Sequence, residues 1–421
     1  MDKKKPTTNP KDTNLLAVEL AQIKLPDTRE RIISSSRYVR YGEDNNFGLF
    51  LENLRDNAPL HNAILTSKVE QAYGEGLYME TPSVAAKLFT AHVNESNTMD
   101  DIYFCCLQDL ILYGGFYIEV IWSETGEICE LYHLPFNRIR AGRKDPESRR
   151  VSNYYYCEDW FRVYQLGYTS IPLFDPSNKH GRQIYAYRNY VAGRDFYPLP
   201  DYTAALAYIA LEKEIANYGL SEIRNSFGGS NMINFKNGIP SEEEQQVIKG
   251  KIKQQLTSSD NAGKLLVTFS PTPDTAPEVT PLQTSNAADK YLQVEKSVLQ
   301  NVLSAHRVVS PLLVGIRTEN NGLGSNANEI ENAFELWNNT VIKPYQNKLL
   351  KALNYLVMFA ANYDSSWKYE ATTISPITFT FSEPTLMQIL SINEMRERIG
   401  YAPTKTDILN YGEKKNSIVN Q

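Results

Sequence analysis

Four cysteines and five histidines in 421 residues leave little material for metal or redox chemistry. Cys105, Cys106, Cys129 and Cys157 show no CxxC or CxxxxC spacing, and adjacent cysteines cannot readily ligate one zinc ion. They read as buried free thiols of a reducing compartment, not as a disulfide framework. His61, His92, His133, His180 and His306 form no HxH or HxxxH pair, so no metal site is legible. Long apolar runs are missing too. The longest, such as Leu353 to Ala361, fall short of the roughly 20 residues of a membrane helix, so no membrane partner is expected. The opening MDKKKPTTNPKDTN has no apolar run behind it and reads as a polar, disordered arm without a secretory signal. Positive charge is not in excess either. A net charge of −6 argues against a general basic grip on nucleic acid, though not against a protein that surrounds DNA without holding it.

Catalytic signatures are also lacking. Gly263–Lys264 looks like the end of a phosphate-binding loop, but Leu265 follows and no glycine lies five residues before. The glycines at 322 and 324 follow no strand and make no GxGxxG fingerprint. Glu242, Glu243 and Glu244 form a carboxylate run in a helix first turn, where negative charge complements the macrodipole. The expectation is therefore no enzyme, no cofactor and no metal. A hydrolase acting on nucleic acid or cell wall is the alternative, and it would need a clustered acid–base or metal constellation.

What is abundant is tyrosine, 27 residues against 16 phenylalanines, with many between Tyr154 and Tyr202. A large apolar ring with a polar tip suits half-buried strands and subunit interfaces. Thr98 and Asp101 fit a capping box that starts a helix to Tyr113, and Gly114–Gly115 ends it. An aromatic strand from Phe116 to Trp122 and a second around Ile128 to Leu134 make a hairpin across Ser123–Gly126, and further short strands run to about Pro200. From Tyr202 to Phe227 the apolar residues step by three and four, which predicts one long amphipathic helix. A small α/β insert follows: a strand at Met232–Phe235, a capping box at Ser241–Glu244, and a strand at Lys264–Phe269. A second long helix is predicted from Ala287 to Val309, so two helices should run antiparallel and present the insert at their far end. A glycine- and asparagine-rich loop spans Gly315–Ser325. A third long helix is expected from Asn326 to Ala361, kinked by Pro344, then a strand at Thr373–Phe381 and short helices capped at Ser391–Glu394 and Thr404–Asp407. The fold class is α+β. His306–Arg307 falls in the last turn of the second helix, where cations complement the dipole. Two readings stay open there, helix capping and a cationic ring near DNA.

This order of parts resembles the portal proteins of tailed bacteriophages. LQDLILYGGFYIEVIW (Leu107 to Trp122) is similar to the helix, small-residue turn and aromatic strand of that family, and LYHLPFNRIRA (Leu131 to Ala141) to the strand and proline turn that come next. SFGGSNMINFKNGIP (Ser226 to Pro240) looks like its aromatic-Asn-Gly turn. HRVVSPLLVGI followed by NANEIENAFELWNNTVIKPY (Asn326 to Tyr345) resembles its apolar proline turn, glycine-rich loop and Asn/Glu-headed helix. SINEMRERIGYAP (Ser391 to Pro403) is similar to its C-terminal Asn-Glu-x-Arg turn. The motifs cover roughly residues 100 to 405 in the family's order.

The resemblance implies an arm at 1–25, a mixed α/β wing at 26–200, stem helices at 201–229 and 286–309, and a clip at 230–285. It further implies a tunnel loop at 310–325, the wing's long helix and strand at 326–383, and a helical crown at 384–421. It also implies a ring of twelve subunits at one capsid vertex of the virion, assembled in the host cytoplasm, that passes double-stranded DNA without sequence specificity. Its partners would be further copies of itself, the major capsid protein, the terminase motor and a head–tail adaptor. The DNA-facing candidates are His306, Arg307, Arg317, Asn320 and Asn321; the clip docking candidates are Lys236, Asn237, Glu242, Glu243 and Lys264.

Overall fold

The computed structural model describes residues 25–226, 231–235, 265–269, 287–316 and 327–374, with positions 241, 243–244, 246–247 and 393. Two short antiparallel strands, β1 (Arg31–Ile32) and β2 (Val39–Arg40), precede helices α1 (Phe47–Asn57) and α2 (Pro59–Tyr73). Pro59 separates the helices, because the residue before a proline is pushed out of the helical region and Ala58 is extended at φ −115°. Then come β3 (Leu77–Tyr78), α3 (Val84–Ala91) and α4 (Met99–Tyr113).

The centre of the body is α4 and the sheet that follows it. Thr98 accepts from the Asp101 amide while the Asp101 carboxylate accepts from the Thr98 amide, the reciprocal cap expected from sequence. Gly114 closes the helix at φ +87°, and a Cβ there would meet the Leu199 carbonyl oxygen at 2.7 Å, so the tight return into the sheet needs glycine. Strands β4 (Gly115–Trp122) and β5 (Ile128–Leu134) form the expected hairpin. Next along the chain are β6 (Ile139–Ala141), β7 (Asn153–Tyr156), α5 (Val163–Leu166), β8 (Thr169–Pro172) and β9 (Arg182–Arg188). β9 pairs on the other side of β4, giving the order β5-β4-β9, and β6-β7-β8 form a separate antiparallel sheet.

Tyrosine divides between core and surface. Tyr154, Tyr197 and Tyr202 are buried, whereas Tyr164 and Tyr190 are exposed. Buried Arg140 is held by Asn45 Oδ1 at 2.6 Å and by the carbonyls of Asn45, Asn137 and Ile139, with its guanidinium over the Trp160 ring.

Helix α6 (Leu206–Ser226) leaves the body, and α7 (Ala287–Ala305) returns to it. Leu206, Ile209 and Ala210 are buried while Leu220 is exposed; on α7, Leu292 and Val294 are exposed while Val298 and Val302 are buried. The two helices lie against each other, so they form an antiparallel arm rooted in the body, as expected. Beyond them the insert pairs β10 (Asn231–Phe235) with β11 (Leu265–Phe269) in parallel, and Ser241 and Glu244 make the expected capping box.

The third long helix is two helices, α8 (Ala327–Trp337) and α9 (Lys343–Val357), joined by a π-helical turn at Asn338–Ile342. Pro344 lies in the first turn of α9. It has no N–H to give the helix interior, and the π turn before it takes up the mismatch, so the expected kink is a break in helix type. β12 (Glu370–Ala371) pairs with β3. The chain divides into two compact units, Met1–Thr373 and Ile374–Gln421. The expected strand at 373–381 lies outside the described residues beyond Ile374, and the helix caps at 391–394 and 404–407 lie outside them apart from helical Asn393.

Candidate functional site at the base of the helix arm

The arm meets the body where four stretches of chain converge: α2, the segment just before α6, the end of α7, and α9. α7 stops earlier than the apolar pattern predicts. Arg307 takes a left-handed conformation at φ +58°, its amide donates to Ser304 O at 2.9 Å, and the Val308 amide donates to Leu303 O at 2.9 Å. This is a Schellman ending with arginine where glycine is usual. Three residues on, a 3₁₀ turn at Pro311–Val314 leads into the loop, and Gln71 of α2 donates to the Leu313 carbonyl at 3.1 Å, pinning the loop's start.

Polar groups fill this junction. His61, Lys68 and His306 are all fully buried. Lys68 Nζ lies 3.2 Å from His306 Nδ1, and His306 Nε2 lies 2.9 Å from His61 Nδ1. The Tyr202 ring stacks on His306 at 4.8 Å and meets His61 edge-on at 4.6 Å, while its hydroxyl donates to Leu112 O. Asp201 Oδ2 accepts from Arg307 at 2.9 Å and from the Tyr345 hydroxyl at 2.6 Å, with Lys68 Nζ 3.6 Å away.

The electrostatics follow from burial and from these neighbours. Burial, reinforced by Lys68, takes His61 down to about 3 and holds His306 well below the usual histidine range, so both rings are neutral. Burial also lowers Lys68, against the pull of Asp201. Burial pushes the Asp201 carboxyl up, but Lys68, the Tyr345 hydroxyl and Arg307 together hold it below its ordinary value.

His306 therefore cannot serve as a DNA-facing cation: its ring is enclosed by α2 and Tyr202 and is uncharged. Arg307 is half-exposed but engaged by Asp201. Arg317, Asn320 and Asn321 lie outside the described residues, as do Lys236, Asn237, Glu242 and Lys264; Glu243 is helical and exposed. The structure thus groups His306 and Arg307 with three residues that sequence reasoning passed over: His61, Lys68 and Asp201. A signal was present in α2, whose buried face is His61, Ile64, Leu65, Lys68, Val69 and Ala72. Two polar residues at seven-residue spacing inside an apolar stripe mark a buried partner from elsewhere.

Among the described residues, no group of three or more histidines, cysteines, aspartates or glutamates is placed to hold a metal ion, and no helix is long and apolar enough to cross a membrane.

The fold is similar to that of a chain in the neck of an empty gene transfer agent particle (GTA), solved with C6 symmetry. The TM-score is 0.50 and the identity 14%, over 85% of this chain and 94% of the other. An HK97-family phage portal protein from Corynebacterium diphtheriae aligns at TM-score 0.40 and 10% identity, over 71% of this chain and 88% of that one. An uncharacterized protein of Rickettsia bellii (strain RML369-C) is 20% identical over 381 residues, 87% of this chain and 92% of its own. The sequence matches the phage portal protein family over residues 67–400, and the chain belongs to that family.

Proposed function

We propose that this chain is one of twelve subunits of a ring at a capsid vertex of the virion, through which double-stranded DNA is packaged, retained and ejected. The observation that supports this most is the order of parts: a mixed α/β body, a two-helix arm carrying a small insert, a glycine-rich loop, and a broken long helix. The family match runs through all of them. On a single subunit the arm leaves Leu220, Leu292 and Val294 exposed, and neighbouring copies would cover them. Twelve copies at −6 each give a strongly acidic ring. Such a wall suits a conduit, because every phosphate neutralised releases counterions and adds affinity that would stall sliding.

In this reading the chain performs no chemistry and needs no cofactor. Energy comes from a separate terminase motor that docks, like the head–tail adaptor, on the insert around Lys236, Asn237, Glu242, Glu243 and Lys264. The body faces the major capsid protein, and assembly takes place in the host cytoplasm. The loop with Arg317, Asn320 and Asn321 projects into the channel and touches DNA lightly, and Arg307 adds a partly neutralised charge at the arm's base.

Negative-stain images or native mass spectrometry of the purified protein should show rings of many subunits with a central hole. A persistent monomer at micromolar concentration and moderate salt would overturn the reading. Arg317→Ala should leave the rings intact and shorten the DNA packaged or retained. Wild-type DNA content in that variant and in one lacking Asn320–Gly322 would remove the loop from the channel.

A further inference from the structure

The buried relay at the arm's base has a direction that the heavy-atom contacts dictate. An ammonium can only donate, so Lys68 donates to His306 Nδ1. The ring proton of neutral His306 then sits on Nε2 and is given to His61 Nδ1. His61 carries its own proton on Nε2, an atom with no hydrogen-bond partner among the described residues. Neither ring can accept a further proton in place. On His306 it would face the Lys68 ammonium, and on His61 it would face the N–H of His306.

Among the described residues the charges nearby are already engaged, apart from one oxygen of Glu212. The titratable and charged groups around the rings are Lys68 on α2, Asp201 and Tyr202 before α6, Glu212 on α6, Arg307 after α7, and Tyr345 and Lys348 on α9. Asp201 already serves Arg307, Tyr345 and Lys68. Glu212 accepts the Leu60 amide at 2.6 Å through Oε1, its Oε2 has no partner among the described residues, and burial keeps its carboxyl above the usual range. Two helix ends rest on this relay, the return of the arm at His306 and the first turn of α2 at His61.

We propose that the Lys68–His306–His61 relay is an acid-sensitive latch that clamps the returning end of the arm to α2. Both histidines have folded values below the open value of about 6.5, so the open state binds more protons as pH falls. The latch is fully closed above that pH. Below it, opening gains about tenfold per pH unit for each histidine. The latch requires neither DNA nor a partner, so its test is independent of the channel reading.

Hydrogen exchange by mass spectrometry on the full-length protein, expressed as protection factors at pH 7.5 and 5.5, reads the opening directly. Peptides covering Val302–Val308 and His61–Lys68 should lose about a hundredfold in protection between the two pH values. The reference helix Met99–Tyr113 should keep its protection. His61→Gln, which removes one titrating ring, should cut the loss at Val302–Val308 to about tenfold. Unchanged protection at the arm's base, or an equal loss in the reference helix, overturns the latch. The wild-type profile decides alone if the variant fails to fold.

Discussion

Replacing Asp201 by asparagine removes one charge and almost no volume, which isolates electrostatics at the junction. Asparagine can still accept from the Tyr345 hydroxyl, and Arg307 is half-exposed and can turn to water. Lys68 has no such escape, because its side chain is fully buried. Removing one partner of a buried ion pair costs about 3–5 kcal/mol; the 3.6 Å separation and the 24% exposure of Asp201 place this case lower, at about 2–4 kcal/mol. At about 2–4 °C per kcal/mol for domains of 150–250 residues, the melting temperature should fall by roughly 4–16 °C. The measurement needs fixed protein concentration, since any association between copies would make melting concentration-dependent. Burial already lowers Lys68, and loss of Asp201 lowers it further. Between that lowered value and the open value of about 10.4 the unfolded chain binds more protons, so the variant's stability rises with pH and its deficit shrinks toward pH 10. Pairing the change with Lys68→Met should recover most of the loss, because no buried charge is then left without a partner. A single variant that melts within about 1 °C of wild type, or a double variant as unstable as the single, would refute the reasoning.

Arg307→Gly should leave stability unchanged or slightly raised in thermal melts. A non-glycine residue in the left-handed region costs about 1–2 kcal/mol, while a half-exposed ion pair contributes about 0–1 kcal/mol; a loss above about 2 kcal/mol would contradict this. Trp337→Ala should destabilise by about 3–5 kcal/mol, because the indole is fully buried. Trp337→Phe should cost far less, since the indole N–H has no partner to lose among the described residues, and equal melting of the two variants would show that packing at this site is not what matters.

The elements readable from sequence were those whose causes are local. The Thr98–Asp101 cap, the Gly114 stop and the β4–β5 hairpin each depend on residues within a few positions, and the three-and-four stepping of α6 and α7 is written along each helix. What escaped depends on distant partners. The place of β9 beside β4, the parallel pairing of β10 with β11, and the β12–β3 pair join segments whose patterns do not name each other. α7 ran short of its pattern because Arg307 turned left-handed, a choice that composition does not favour. The site was legible only at His306 and Arg307, and there as either a helix cap or a cationic ring. Its burial comes from α2 and Tyr202, and the Lys68–Asp201 pair beside it joins residues 133 positions apart in the sequence.

The π turn at Asn338–Ile342 also fixes something that composition does not. From Ile330 to Leu356 the apolar stripe takes seven steps, five of them fours. On an unbroken helix of about 3.6 residues per turn that stripe would wander about 80° around the axis before reaching Leu356. One extra residue held in the π turn takes back about 100°, so Trp337 and Tyr345 both stay in the core on either side of the break. The turn acts as a phase corrector, and the constraint it places on these five residues is one of number. Many substitutions there would keep both halves aligned, whereas deleting any one residue would give a more regular helix with half of its apolar face turned toward water.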